Sequence, residues 1–545
     1  MTRKVIILLL ALMLCLPNMS VLAAVTEPGT FPFTVEPAEL TIWAGNFAGQ
    51  QDYDVAAMTK WYEKQTGVHI NWIQVSSSEI ATLFNTSIAS GDWPDIYMYP
   101  LSGAEYMQYA EDGVLIPLND LIDQYGYYIK QAFEDVPGMK EAITAPDGNI
   151  YGMPLSRYAY AHPVPNKLWV YKEWLDAYTA ATGNGNPETP EALKEMLIYF
   201  RDNDMNANGD ASDEIIMTGN YNWGHEGGNP VYYLLNAFCF VPSNKEYQGF
   251  YITDDGRFTT DVTSDAYRDG LRYIHDLYNE GLFGEEIFVQ DLNTMRSLTT
   301  TTKDSVIVAT AGAPYSLRLI TAQPSVENAV TFSDYVPVNP LRNVATGTAA
   351  YPTQPTDRVS MRNFITTACD TPELAMRWLD YFYSDDVQNW MTNFGLEGED
   401  WDWVDSPSLG GDAKSVRVRE DARGLNGGAW NGNWCGVWYQ SRELMLAGEA
   451  ATATTSSSWT AHDLYYANSK DTNIPFIVWC NDIDVVTEYA EMHTLLRGYI
   501  ETAMSEFVLG IRDIDSDAAW NAYVAELERM GLEDFLEIAA IYYGL

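Results

Sequence analysis

At 545 residues, 47% hydrophobic and 19% charged, the chain is too long for one ordinary domain and too apolar to be disordered. Its 75 acidic residues against 31 basic ones give a formal charge of −44 at pH 7, a field that repels phosphate and excludes nucleic acid and anionic membrane surfaces as partners. Beyond residue 24 the cysteines are Cys239, Cys369, Cys435 and Cys480, too few for a disulfide scaffold and without the close spacing of a metal site.

Residues 1–23 read as a signal peptide. Arg3 and Lys4 precede an apolar run from Val5 to Leu16, and Val21-Leu22-Ala23 fits cleavage after Ala23. Cys15 follows Leu14, where a lipidation cysteine wants a small residue, and this argues against a lipid anchor at Cys15. No later stretch has about 18 consecutive apolar residues, so the mature chain is expected to be secreted and soluble.

From residue 38 to residue 99 the pattern runs strand, helix, strand, helix, strand. ELTIWAGN and HINWIQV are short β-rich runs, each followed by a helical stretch, and the segment closes on IASGDWPDIYMY. Such alternation predicts a parallel sheet with a ligand crevice at the carboxyl ends of its strands. Trp93 is expected in the core, whereas Trp43, Asn46 and Tyr99 fall at strand ends facing the crevice.

A helix over 190–201 leads into DMNANGDASDEI, residues 204–215. Asp204, Asn206 and Asn208 alternate ahead of Gly209, as in a calcium loop, because calcium takes about six to eight oxygens and needs a sharp turn between them. Asp210 would offer its backbone carbonyl, and Asp213 and Glu214 their carboxylates; the twelfth position is Ile215, not the bidentate glutamate of an EF-hand. The alternative is a solvated Asn-Gly turn.

Further along, Asp370-Thr371-Pro372 marks a helix start. In 519–543, Trp520, Tyr523, Val524 and Leu527, then Leu532, Phe535, Leu536 and Ile538, recur at helical spacing on either side of Gly531, as two core-packed helices would. No HExxH, GxSxG, P-loop or GxGxxG occurs. His462-Asp463 and Glu491-x-His493 read as solvated helix faces, and Cys239 as a small buried hydrophobe. A glycoside hydrolase would need only two carboxylates, which 75 acidic residues can supply, but no pair stands out.

Several phrases, in order, resemble the extracellular solute-binding proteins of ABC importers, in the large carbohydrate-binding branch with LplA-like and alginate-binding members. SGDWPDI (90–96), DGVLIPLNDLID (112–123), DGNIYGMPLSRY (147–158), KLWVYKEWLDAY, TPEALKEML (189–197) and the blocks 364–403 and 505–545 carry the likeness. The loop at 204 is similar to that branch's DxNGNGxxDEI, with one added residue after Gly209.

The resemblance implies a type II periplasmic-binding-protein fold, α/β, with two hinged lobes and a ligand cleft between them. Lobe one is expected to use 38–155 and about 305–390, and lobe two 160–300 and about 395–545. It also implies capture of an oligosaccharide and delivery to membrane permease subunits, by a non-enzymatic monomer with a structural calcium ion. An oligopeptide receptor and a secreted glycoside hydrolase are the alternatives.

Sugars present C–H faces and hydroxyl edges, so aromatic and hydrogen-bonding residues near the cleft are the candidate contacts. Besides the strand-end residues these are Arg157 and Tyr158 at the lobe crossing, Trp223 and His225 in NYNWGHEGGNP, Tyr315 after SVIVATAGAP, and Trp430 and Trp434 in LNGGAWNGNWCG.

Overall fold

Strand β1 (Ala38–Asn46), helix α1 (Ala57–Thr66), strand β2 (Val68–Ser76), helix α2 (Ile80–Ser90) and strand β3 (Ile96–Met98) realise the alternation read from the sequence. The structure is a computed structural model that describes residues 25–46, 51–158, 164–221, 228–314, 318–321, 325–353, 357–391, 395–405, 414–419, 430, 439–440 and 455–545. β1 lies between β2 and β3 and is parallel to both, with Ile42 opposite Trp72 on one side and Ile96 on the other. An inner parallel strand is covered on both faces, and Ile42, Trp43 and Ala44 are accordingly buried.

Helices α3 (Gly103–Glu111), α4 (Tyr128–Asp135) and α5 (Met139–Ala142) complete this part of lobe one, and strand β4 (Met153–Tyr158) leaves it. Lobe two holds β5 (Leu168–Tyr171), helix α6 (Pro190–Asp202), β6 (Ile215–Thr218), β7 (Val308–Gly312) and β8 (Tyr335–Pro337), in the sheet order β8-β5-β7-β6. The chain returns on β9 (Asp357–Arg362), antiparallel to β4 from Asp357 opposite Tyr158 to Arg362 opposite Met153. Strand β10 (Phe364–Ile365) then pairs antiparallel with β3, and helix α7 (Pro372–Asp380) follows. Pro372 stands in the first turn of α7 behind Thr371, whose side chain makes no cap hydrogen bond.

Two large hydrophobic cores form among the described residues, beside a small cluster of Trp401 and Val416. One unites Phe33 to Met153 with Val359 to Trp390 and Trp430; the other unites Val164 to Leu341 with Tyr351 and with Ala461 to Ala539. The return to lobe one was expected near 305, but it comes at Val359. β7 is an inner strand of the second sheet, between β5 and β6, so the chain cannot leave lobe two before that sheet is complete. Trp430 likewise packs in the first core although 395–545 was expected to serve the second.

Helices α8 (Ile483–Val508), α9 (Asp517–Arg529) and α10 (Leu532–Tyr543) close lobe two. Trp520, Tyr523, Leu527 and Phe535 are buried, as their spacing predicts. Cys239 is buried, whereas His462 and His493, read as solvated, are buried too: each stacks on an aromatic ring one helical turn away, Tyr466 and Tyr489. No helix among the described residues is long and apolar enough to cross a membrane.

The N-terminal arm is fastened to lobe one by α7. Arg377, 1% exposed, donates to the carbonyls of Thr26, Glu27 and Thr30 and lies 4.5 Å from the Phe33 ring centroid. One turn on, Asp380 accepts the amides of Tyr127 (3.0 Å), Tyr128 (3.2 Å) and Ile129 (2.8 Å) at the start of α4. Burial pushes the Asp380 carboxyl up to about 6 from an ordinary 3.8, against the pull of those amides and Arg377.

The folded protein therefore binds the Asp380 proton more tightly than the unfolded chain does. Asp380 contributes less stability as pH rises through the window from 3.8 to about 6. Asp380→Asn removes that titration, so the variant is expected to gain on the wild type between pH 4 and pH 7 in urea unfolding. Equal differences at both pH values would refute this.

Candidate functional site

At the carboxyl end of β1 and β3, Trp43, Phe84 and Tyr99 meet. Tyr99 stacks on Phe84 at 4.2 Å with 18° between the rings, and Trp43 sets its edge against Tyr99 at 5.9 Å. Trp43 is only 2% exposed, so it buttresses Tyr99 from within the core, and Tyr99, half-buried, keeps the accessible face. Asn46 ends the same strand. Its amide donates to Gln74 Oε1 at 3.0 Å, an oxygen that also accepts the Tyr53 amide, and its buried Oδ1 has no partner among the described residues.

Trp430 stands apart from that trio. It is fully buried among Tyr62, Trp72, Trp378 and Phe382, and its Nε1 donates to Thr59 Oγ1 at 2.8 Å. A glycine- and asparagine-rich surrounding suggested an exposed platform; the structure instead gives this indole no free face. Trp93 is half-buried, with its Nε1 donating to the Ile88 carbonyl at 3.0 Å.

Arg157 and Tyr158 end β4, opposite Arg358 and Asp357 of β9, where the chain passes between lobes. Trp223, His225, Tyr315 and Trp434 lie outside the described residues.

The loop after α6 draws its oxygen-bearing side chains inward. Asp204 accepts the amides of Asn208 (3.1 Å) and Gly209 (2.8 Å), and Asp213 accepts the side-chain amides of Asn206 (3.3 Å) and Asn208 (2.6 Å). Gly209 makes the sharp turn at φ 95°, a backbone region that glycine enters without strain. Asp210 instead turns its carboxylate to Ser212, accepting its amide and its hydroxyl. Glu214 accepts the Met205 amide through Oε1, while its Oε2 is buried without a hydrogen-bond partner among the described residues.

Among the described residues no three His, Cys, Asp or Glu side chains form a metal cluster. An ion here would need the Asn oxygens and a backbone carbonyl as well, which suits a hard cation such as calcium. The orphaned Glu214 oxygen is consistent with that fit.

One cavity, of about 410 Å³, opens between the lobes, and the sequence did not reveal it. Leu101 to Gly103 bound it from lobe one, Ser360 and Met361 from the crossing strand β9, and Tyr247, Tyr489, His493, Tyr542 and Tyr543 from lobe two. The last wall is the segment 474–478, which reaches across from lobe two. Ile474 packs in the second core, whereas Ile477 and Trp479 pack on the first, and Trp479 Nε1 donates to the Ala142 carbonyl of α5 at 3.2 Å. A Cβ on Gly103 would stand 2.1 Å from the Val478 carbonyl oxygen, so only glycine lets α3 start that close to the segment.

A two-lobed α/β molecule with paired crossing strands and an inter-lobe cavity has the architecture of a hinged receptor. Residues 44–389 match the family described as bacterial extracellular solute-binding proteins, and the chain belongs to that family.

The chain is similar to FusA of Streptococcus pneumoniae serotype 4, a fructooligosaccharide ABC transporter substrate-binding protein, at 26% identity over 546 residues, covering 95% of this chain and 92% of FusA. Among solved structures, FusA in complex with kestose superposes with a TM-score of 0.65 at 22% identity, covering 93% of this chain and 99% of that one. An HMO-binding, ABC-transporter-associated solute-binding protein of Bifidobacterium longum infantis superposes with a TM-score of 0.73 at 17% identity, covering 93% of this chain and 98% of that one. FusA has also been solved as an EF-hand mutant with fructo-nystose, at a TM-score of 0.64 and 23% identity, covering 93% of this chain and 99% of that one.

Proposed function

We propose that the protein is the extracytoplasmic substrate-binding component of an ABC importer, which captures an oligosaccharide between its lobes and hands it unaltered to membrane permease subunits. The observation that carries this reading is the aromatic-walled cavity to which both lobes and a crossing strand contribute, in a chain related to FusA along nearly its whole length. A ligand that touches both lobes binds the closed arrangement more tightly than the open one, and this difference in affinity drives closure. Export relies on the signal peptide at 1–23, and the protein works as a monomer held at the cell surface by the permease, without a lipid at Cys15.

Beside the cavity lining, the candidate ligand contacts are Tyr99 and Asn46 on lobe one, Arg157 and Tyr158 at the end of β4, and, from the sequence alone, Trp223, His225, Tyr315 and Trp434. No bond in the ligand is broken. Calorimetry of the purified mature chain against glycan and peptide pools, with a reducing-end assay alongside, tests this. Peptide binding in place of glycan, or release of reducing ends, would overturn it.

A calcium ion held by Asp204, Asn206, Asn208, Asp213, Glu214 and the Asp210 carbonyl would brace lobe two at the end of α6. Excess EGTA is then expected to lower Tm by several degrees, calcium to restore it, and Asp213→Ala to abolish both responses. A Tm that ignores EGTA would remove the ion from this reading.

A further inference from the structure

The inter-lobe cavity carries a charge pattern that bears on what can occupy it. Its volume of about 410 Å³ falls in the range of small-molecule sites, about 300–1,000 Å³. The lining is aromatic: Tyr542 stacks on Tyr489 at 4.0 Å with 10° between the rings, and Phe476 presents a ring that is 39% exposed. Hydroxyl-bearing residues are interleaved with these rings. Ser360, Thr494 and Glu246 line the same space, and the Tyr489 and Tyr543 hydroxyls lie 2.9 Å apart. An apolar face edged by hydroxyl partners matches the two sides of a sugar ring.

None of the described lining residues is Lys or Arg. His493 could supply a cation, but burial and the neighbouring Arg497 push its pKa down to about 4, which leaves the imidazole neutral. Arg497 itself turns a guanidinium nitrogen to the Lys245 carbonyl at 3.1 Å. An anion entering the cavity would lose its hydration and meet no Lys or Arg among the described lining residues to replace it, an unfavourable exchange.

We infer that this cavity seats a ring of the bound glycan and selects for uncharged sugars against uronate or sulfated ones. The inference rests on the oligosaccharide-receptor reading and deepens it. Because the walls come from both lobes and from β9, a ring seated here also holds the lobes in the arrangement that builds the site.

The test is calorimetry on the full mature chain with a panel of neutral fructo-, gluco- and galacto-oligosaccharides and matched uronate oligosaccharides. Two variants accompany it. Ala490→Trp fills the cavity from an exposed position on α8, and Phe476→Ala removes its exposed ring. The expected result is binding of neutral members, uronates weaker by about a hundredfold or more, and neutral affinity lowered about tenfold in both variants with Tm retained. Uronates bound as tightly as neutral sugars, or unchanged affinity in both folded variants, would overturn the inference while leaving the receptor reading intact. A wild type that binds no saccharide of either kind would overturn both.

Discussion

Replacing Trp430 by alanine is expected to cost about 3–5 kcal/mol of folding stability, the usual range for emptying a large aromatic site in a core. The indole is fully buried, touches four aromatic side chains and satisfies Thr59, so truncation leaves both a cavity and an unpaired hydroxyl. Glycan affinity of the folded variant is expected to stay within about twofold of the wild type, since no face of this ring is free for ligand. Urea unfolding and calorimetry on one preparation separate the two effects. Unchanged stability with lost affinity would return Trp430 to the ligand site.

Arg377→Ala is the second large effect, expected at about 3–5 kcal/mol because it removes a buried guanidinium and leaves its carbonyl partners and the nearby buried Asp380 uncompensated. Three carbonyls of the N-terminal arm lose their donor, and Asp380, buried behind them, loses the nearby cation. The arm should come away first, so limited proteolysis is expected to cut within 25–36 at protease levels that spare the wild type. A loss below about 1 kcal/mol, with the arm still protected, would show that α7 does not hold it.

The start of lobe one was readable because its signals are local. Period-two apolar runs and helical stretches in 38–99 need no distant partner to be recognised, and the same holds for α9 and α10 and for the oxygen-rich loop at 204–215. The point of return to lobe one was not readable. Whether Val308–Gly312 pairs with β3 or with β5 and β6 depends on strand order, and the run itself is equally apolar in either sheet.

Trp430 fails for the same reason. Its burial is decided by Thr59 and Tyr62, far earlier in the chain, and not by the glycines beside it. The inter-lobe cavity left the faintest trace. Its residues read as ordinary helix positions on α8 and α10, and the one hint was the apolar run Ile474 to Trp479 between polar flanks.

The late return of the chain to lobe one bears on how the molecule is made. The first core lacks Trp378, Trp390 and Trp430 until well past the middle of synthesis, and the second lacks Phe535 until nearly the last residue. Pairs such as Tyr62 with Trp378, 316 positions apart, and Trp430 with Thr59, 371 apart, make the fold rich in distant contacts, which slows the search for the native state. Neither core is complete before its C-terminal members have been made, so the final packing of each lobe waits on the last third of the chain.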